Sequence, residues 1–230
     1  MNYNIKDIEK YIQYFTYEER FTSEDADTFE EELERNLPDE DFYCESGATK
    51  FVIIPANLDY VIKIPFNGQY EWDWEEDSDV FTPFEEGGKD DYDYLDLELK
   101  ILEDWKTEEM INENFLLVQF LLPIEEVDEI NGFSIYIQKK AISYTDLYEE
   151  DKKVPVSEES RIKVQEISNR EGFYSSLPID WLASCYNELQ DEIKMMKFLR
   201  SIKYIHDLHR GNIGYCNNIP VIIDYAGYYE

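Results

Sequence analysis

The stretch YIHDLHRGNIGYCNNIPVIIDYAG, residues 204–227, decides how this chain is read. Both histidines of the protein, His206 and His209, fall in its first half, among Asp207, Arg210 and Asn212. Further on, a short run of strand formers, PVIID, delivers Asp224 into a small turn. The cluster of His206, His209 and Cys216 first suggests zinc. However, H-x-x-H-x₆-C offers three ligands at a spacing unlike that of structural zinc sites. The polar residues therefore call for another explanation, and the rest of the chain supplies it.

The 230 residues suffice for one large domain or two small lobes. A hydrophobic content of 43%, with 19 Tyr, 13 Phe and 4 Trp, predicts a folded chain despite 32% charged residues. Fifty-three acidic side chains against 21 basic ones leave a net charge of −32. Such a surface repels nucleic acid and anionic lipid, and keeps the chain in solution at some cost in self-repulsion. Lys and Arg are too few for a DNA-binding footprint, so no direct nucleic-acid binding is expected. A basic partner, or a decoy surface that mimics phosphates, stays compatible with this charge. The three cysteines, Cys44, Cys185 and Cys216, form no C-x-x-C pair and fit a reducing compartment. The N-terminal MNYNIKDIEKYIQYF lacks the continuous apolar core of a signal peptide, and no stretch approaches the roughly 20 apolar residues of a membrane span. A cytoplasmic location away from membranes is the expectation.

Along the chain, residues 4–36 read as two helices. Ile5, Ile8, Ile12 and Phe15 share one face, and Phe29 with Leu33 mark the second helix. Thr22 and Ser23 are its cap candidates and Pro38 its stop. ATKFVIIP and DYVIKIPF, separated by ANL, predict a β-hairpin. Residues 67–93 form an acidic, aromatic insertion read as a loop from Gly68, Pro83, Gly87 and Gly88. Within it, Trp72 and Trp74 are expected to pack onto the neighbouring β-rich structure. YLDLELKILEDWKTEE is read as helical with Leu95, Leu99 and Leu102 on one face. FLLVQFLLPIEEV and FSIYIQKKA are read as strands around a Gly132 turn. The longest helix is predicted from Pro178 to His206. The order is an α+β pattern of two lobes meeting near residue 141.

Lys63 lies mid-strand in YVIKIP, with Ile62 and Ile64 on the other side. A lysine facing a core or a cleft needs a partner, because an unpaired buried ammonium is costly. Glu98 on the following helix is the natural one, with Glu103 as the fallback.

In this order the residues resemble the protein-kinase-like superfamily over about residues 45–227. VIKIP looks like the strand carrying the phosphate-contacting lysine and LELKIL like the helix carrying its glutamate. HDLHRGN looks like the catalytic loop and IDYAG like the metal-binding turn. The DLHRGN form is similar to aminoglycoside and choline kinases and to small bacterial or phage kinases. The resemblance implies a two-lobed fold, with a β-rich N-lobe holding one helix and a shortened helical C-lobe. Its parts would be an N-terminal helical extension at 1–40, the N-lobe with its insertion at 41–141, and the C-lobe at 142–230. The C-lobe would carry the catalytic loop 204–215 and the metal turn 224–227.

The resemblance also implies roles. Asp207 would orient the acceptor hydroxyl and take its proton, with His209 hydrogen-bonding the transferring phosphate. Lys63, fixed by Glu98, would grip the phosphates of ATP, and Asn212 with Asp224 would hold Mg²⁺ through oxygen ligands. Backbone at Ser46 and Gly47 would approach a phosphate, and a hinge at Gln138, Lys139 and Lys140 would read adenine. The implied activity is Mg²⁺-assisted transfer of the γ-phosphate of ATP to a hydroxyl on an acceptor the sequence does not name, a small molecule or a partner protein.

Departures from the pattern define two competing expectations. ESGATKFV holds one glycine, and His206 stands where an arginine would tie activity to a phosphorylated activation loop. Six residues follow Asp224, so residues 1–36 or 151–177, or a partner chain, are expected to cover the underside of the catalytic loop. These features suit a nucleotide-binding pseudokinase that acts as an interaction module. An acidic decoy inhibiting a nucleic-acid-binding protein is the third expectation.

Overall fold

The computed structural model describes residues 2–16, 21–47, 49–73, 77–83, 95, 98–103, 120–145, 157–171, 181–184, 209, 211–217 and 219–225. They form a mixed α+β structure with mostly antiparallel sheets. The chain divides into two compact units, Met1–Leu97 with Ile124–Lys140, and Glu98–Pro123 with Ala141–Glu230. Two features differ from the sequence reading. Residues 1–40 are an integral part of the first unit, and Glu98–Pro123 groups with the second.

In the first unit, strands β1 (Phe42–Ser46), β2 (Lys50–Pro55) and β3 (Tyr60–Pro65) run antiparallel. Next in the chain come β4 (Gly68–Asp73) and β5 (Ser78–Pro83), then β6 (Ile124–Ile130) and β7 (Phe133–Lys139). The main sheet has the order β1-β2-β3-β7-β6, and β4 with β5 forms a separate two-stranded sheet. Period-2 alternation sends Phe51, Ile53, Ile62, Ile64, Ile135 and Ile137 to one face.

Helices α1 (Ile5–Ile12) and α2 (Ala26–Asn36) close that face, contributing Ile8, Ile12, Phe29 and Leu33 to one core with it. Asn4 caps α1, its side chain accepting from the Lys6 amide. A capping box precedes α2. The Thr22 hydroxyl accepts from Glu24 N–H at 3.2 Å, and the Asp25 carboxylate accepts from Thr22 N–H at 2.8 Å. Asn131, at φ 54° in the β6–β7 turn, donates to the carbonyls of Ile12 and Phe15 at 3.3 and 3.0 Å. These bonds satisfy carbonyls at and just beyond the C-terminal end of α1. The apolar faces of α1 and α2 are thus used on this sheet.

The insertion is a second correction. The register Gly68↔Pro83 through Asp73↔Ser78 makes β4–β5 a regular hairpin. Its glycine and proline mark strand ends, where a two-stranded ribbon tolerates proline. A Cβ on Gly68 would lie 2.5 Å from the Phe81 ring and 2.6 Å from the Thr82 carbonyl, so the glycine permits the close approach of the strands. Residues 74–76 and 84–94, including Trp74, and the side chain of Trp72 lie outside the described residues. Of the strand expected over 115–127, residues 115–119 lie outside the described residues; β6 starts at Ile124 and runs through the acidic EEVDEI, with a bulge between Glu126 and Asp128. β1 was not foreseen as a strand.

In the second unit, β8 (Ile142–Ser143), β9 (Ile213–Cys216) and β10 (Ile219–Ile222) form a sheet of order β10-β9-β8. Leu121 bridges Ile222 in parallel. Helix α3 (Glu158–Glu171) buries Val164 and Ile167, and the Ser160 hydroxyl donates to the Ser184 carbonyl at 3.2 Å. Its sparse apolar residues hid it from the sequence reading. Of the helix expected over 178–206, residues 181–184 are described; they are helical and buried, with Trp181 edge-on to Tyr144 at 5.1 Å. Among the described residues no helix is long and apolar enough to cross a membrane.

Candidate functional site

The first unit positions Lys63. It pairs with Val52 on one side and Tyr136 on the other, so strand alternation turns it away from α1 and α2. It is 3% exposed. Lys50 pairs with Pro65, which puts it on the same face, and it too is buried. Gln138 is buried on that face one pair further along, opposite Val61 and Ile124.

The residues expected to contact nucleotide are placed as follows. Ser46 ends strand β1 and pairs with Phe51 rather than standing in an open loop. Gly47 N–H donates to the Lys50 carbonyl at 3.0 Å, which closes the β1–β2 connection as a tight turn and commits that amide. Gln138 and Lys139 lie within strand β7, and Lys140 N–H donates to the Asp59 carbonyl at 3.0 Å. The Lys140 ammonium donates to the Pro55 carbonyl. Burial lowers its pKa from the ordinary lysine value, with Asp59 and Asp41 opposing the shift. The Lys140 amide and ammonium are therefore both bonded to the β2–β3 connection.

The second unit assembles the remaining residues. Hairpin β9–β10 pairs Ile213 with Ile222, and Ile223 N–H continues the ladder to the Asn212 carbonyl at 2.7 Å. Asn212 and Asp224, twelve positions apart in the chain, therefore sit together at the open end of one hairpin. Asn217 at φ 51° turns its other end. A Cβ on Gly214 would lie 2.5 Å from the Ile142 carbonyl, so this glycine lets β8 pair with β9. The Asn212 side chain is buried and that of Asp224 half-buried.

Glu98 is fully buried in the helical segment 98–103, beside Ile101 and Leu102, whereas Leu99 is half-buried. The buried face is thus shifted from the one read in sequence, and Glu103 is exposed. The Glu98 carboxylate accepts Tyr225 N–H at 3.2 Å, and the Tyr225 hydroxyl donates to the Leu122 carbonyl at 3.2 Å. Tyr225 was missed; its signal was an aromatic directly after the aspartate of IDYAG. Two side-chain and backbone bonds from this residue fix the turn that carries Asp224.

His209 is exposed, and its Nδ1 accepts Gly211 N–H at 3.0 Å. An accepting Nδ1 places the ring proton on Nε2, leaving a directed donor. Asn212 N–H donates to the His209 carbonyl at 3.1 Å, which tightens the same loop. Asp207 and His206 lie outside the described residues.

No family model matches the chain, and no curated protein matches it.

Among the described residues no three or more His, Cys, Asp and Glu side chains are grouped to hold a metal ion. Asn212 and Asp224 provide one amide and one carboxylate oxygen donor. That is a suitable set for Mg²⁺, which takes one or two carboxylates and keeps several waters.

Proposed function

We propose that the chain is a protein-kinase-like phosphotransferase that uses Mg-ATP, with the first unit as its β-rich lobe and the second carrying the catalytic loop and metal-binding turn. The observation that carries the reading is the bond from Tyr225 N–H to the buried Glu98 carboxylate. It ties a helix acid to the turn holding Asp224, while the β9–β10 hairpin sets Asn212 beside that turn. Lys63 on the third strand of the sheet adds to this, since kinases carry their phosphate-gripping lysine on the third strand.

Phosphoryl transfer depends on positioning and charge neutralisation more than on covalent chemistry. Asp207 orients the acceptor hydroxyl and takes its proton. His209, with its proton fixed on Nε2, donates to the transferring phosphoryl group. Lys63 neutralises phosphate charge, and Asn212 and Asp224 supply the oxygen ligands for Mg²⁺. The metal, when bound, offsets charge on the phosphate oxygens.

A second reading, a nucleotide-binding module without turnover, draws support from the tight β1–β2 turn. With Gly47 N–H committed to Lys50, this turn has little backbone to lay over phosphates. Turnover separates the two readings. ATP hydrolysis or transfer by the wild type, abolished in Asp207→Ala with nucleotide binding retained, supports the phosphotransferase. Binding without turnover in both supports the module.

A further inference from the structure

In the first unit a cavity of about 270 Å³ opens where α2, the chain just past α1 and the start of β7 meet. That is close to the roughly 300 Å³ of the smallest ligand pockets. Its apolar lining is Phe15, Phe21, Phe29 and Phe133, all buried. Phe21 meets Phe133 edge-on at 5.3 Å, and Phe29 meets it edge-on at 5.9 Å. The rings hold one another in place, so little ordering is needed to receive a ligand. Helical spacing adds the polar part. Asp25, Phe29 and Glu32 stand at i, i+4 and i+7, on one face of α2 and its N-cap. Both carboxylates line the cavity and are half-buried. Glu32 is engaged by Arg35 and Asn36. Asp25 is engaged through one oxygen, its Oδ2 accepting from the Thr22 amide at 2.8 Å and the Thr22 hydroxyl at 3.0 Å. Its Oδ1 accepts no hydrogen bond among the described residues.

We infer that this cavity binds a small organic cation, an ammonium group carried on an apolar body. The phenylalanine rings cover the body and attract the cation electrostatically. Asp25 supplies the directed charge through its Oδ1, and a half-buried pair is screened by salt less than an exposed one. An organic anion would meet Asp25, Glu32 and a net charge of −32. A neutral ligand would desolvate the Asp25 carboxylate without compensating it. Lys63 lies on the opposite face of the sheet from Phe133 and the α1–α2 core. The cation site therefore stands independently of the phosphotransferase reading.

The test titrates the full chain at neutral pH with phenethylamine, which is cationic there, and with phenylethanol, its neutral counterpart. Physiological salt screens attraction to the acidic surface at large. Phenethylamine is expected to bind saturably and at least about tenfold more tightly than the alcohol. Asp25→Asn, which keeps an acceptor for Thr22, is expected to remove most of that difference. Because Asp25 also closes the capping box before α2, a second variant leaves it in place. Thr28 is an exposed α2 residue that lines the cavity, so Thr28→Trp is expected to fill the cavity mouth. It should weaken phenethylamine at least about tenfold while leaving the circular dichroism spectrum unchanged. Equal affinity for amine and alcohol, or an amine preference unchanged in Asp25→Asn, overturns the recognition of charge. Amine binding that ignores Thr28→Trp is diffuse attraction to the acidic surface and overturns the site. Absence of binding by either probe at millimolar concentration overturns it too.

Discussion

Tyr11 and Tyr60 bury their hydroxyls without a hydrogen-bond partner among the described residues. A buried polar atom left unpaired costs free energy that its removal returns. Tyr11→Phe is therefore expected to be neutral or stabilising in urea unfolding at pH 7. The same residue sets an alkaline limit. Burial, then Glu40, Tyr60 and Asp7, push the Tyr11 phenol from its ordinary 10.0 up to about 12. The folded state keeps this proton where the unfolded chain loses it. The contribution is full below pH 10 and is lost as pH rises towards 12. Tyr11→Phe should flatten the fall in stability over that window by one proton's worth, and an unchanged slope would contradict the assignment. Cys44 adds an earlier onset, its thiol raised from 9.0 to about 12 by burial and then by Glu30 and Glu34. Thr22, fully buried in its capping box, was legible in sequence because a threonine three residues before an acid starts a helix. Thr22→Ala is expected to cost about 1 kcal/mol in the same unfolding measurement. Lys50 was legible as part of the strand-forming run ATKFVIIP, and the register Lys50↔Pro65 shows which face it joins.

At the scale of elements, hairpin β2–β3 was legible because its strands alternate aliphatic residues around a short polar link. Hairpin β4–β5 was hidden, because Gly68 and Pro83 mark strand ends as readily as loops and acidic residues masked its period of two. The adjacency of Asn212 and Asp224 was legible as a pattern of motifs. The bond from Tyr225 to Glu98 was not, since it joins residues 127 positions apart. Gly214 carries the clearest element-level prediction. A Cβ there would meet the Ile142 carbonyl at 2.5 Å and the Ile223 side chain at 2.8 Å. Backbone cannot yield without unpairing β8 from β9. Gly214→Ala should remove amide-exchange protection across Ile213–Cys216 and Ile219–Ile222, while the five-stranded sheet of the first unit keeps its protection. Retained protection in β9 and β10 would show that the approach can relax.

For the whole molecule, the net charge of −32 dominates solution behaviour. Repulsion among 53 acidic side chains is screened as the Debye length shrinks to about 10 Å at 0.1 M salt. Raising sodium chloride from low concentration to physiological strength is expected to raise the melting temperature by several degrees, roughly 1 kcal/mol or more for a chain of this size. A melting temperature indifferent to salt would place the acids in compensating pairs. The α+β class was visible in the order of periodic segments. The division into units was visible in part, because the return of Glu98–Pro123 to the second unit is made by long-range pairing such as Leu121 with Ile222.

The central proposal is that this chain binds Mg-ATP, and Lys63 in the first unit and Asp224 in the second are the residues to vary. Calorimetric titration of ATP with Mg²⁺ and with EDTA, on wild type, Lys63→Ala and Asp224→Ala, tests it most directly. The wild type is expected to bind saturably, and at least about tenfold more weakly without Mg²⁺. Asp224→Ala is expected to lose that metal dependence and Lys63→Ala to bind more weakly. A folded wild-type chain that releases no heat with millimolar Mg-ATP, or whose binding ignores both substitutions, would contradict it.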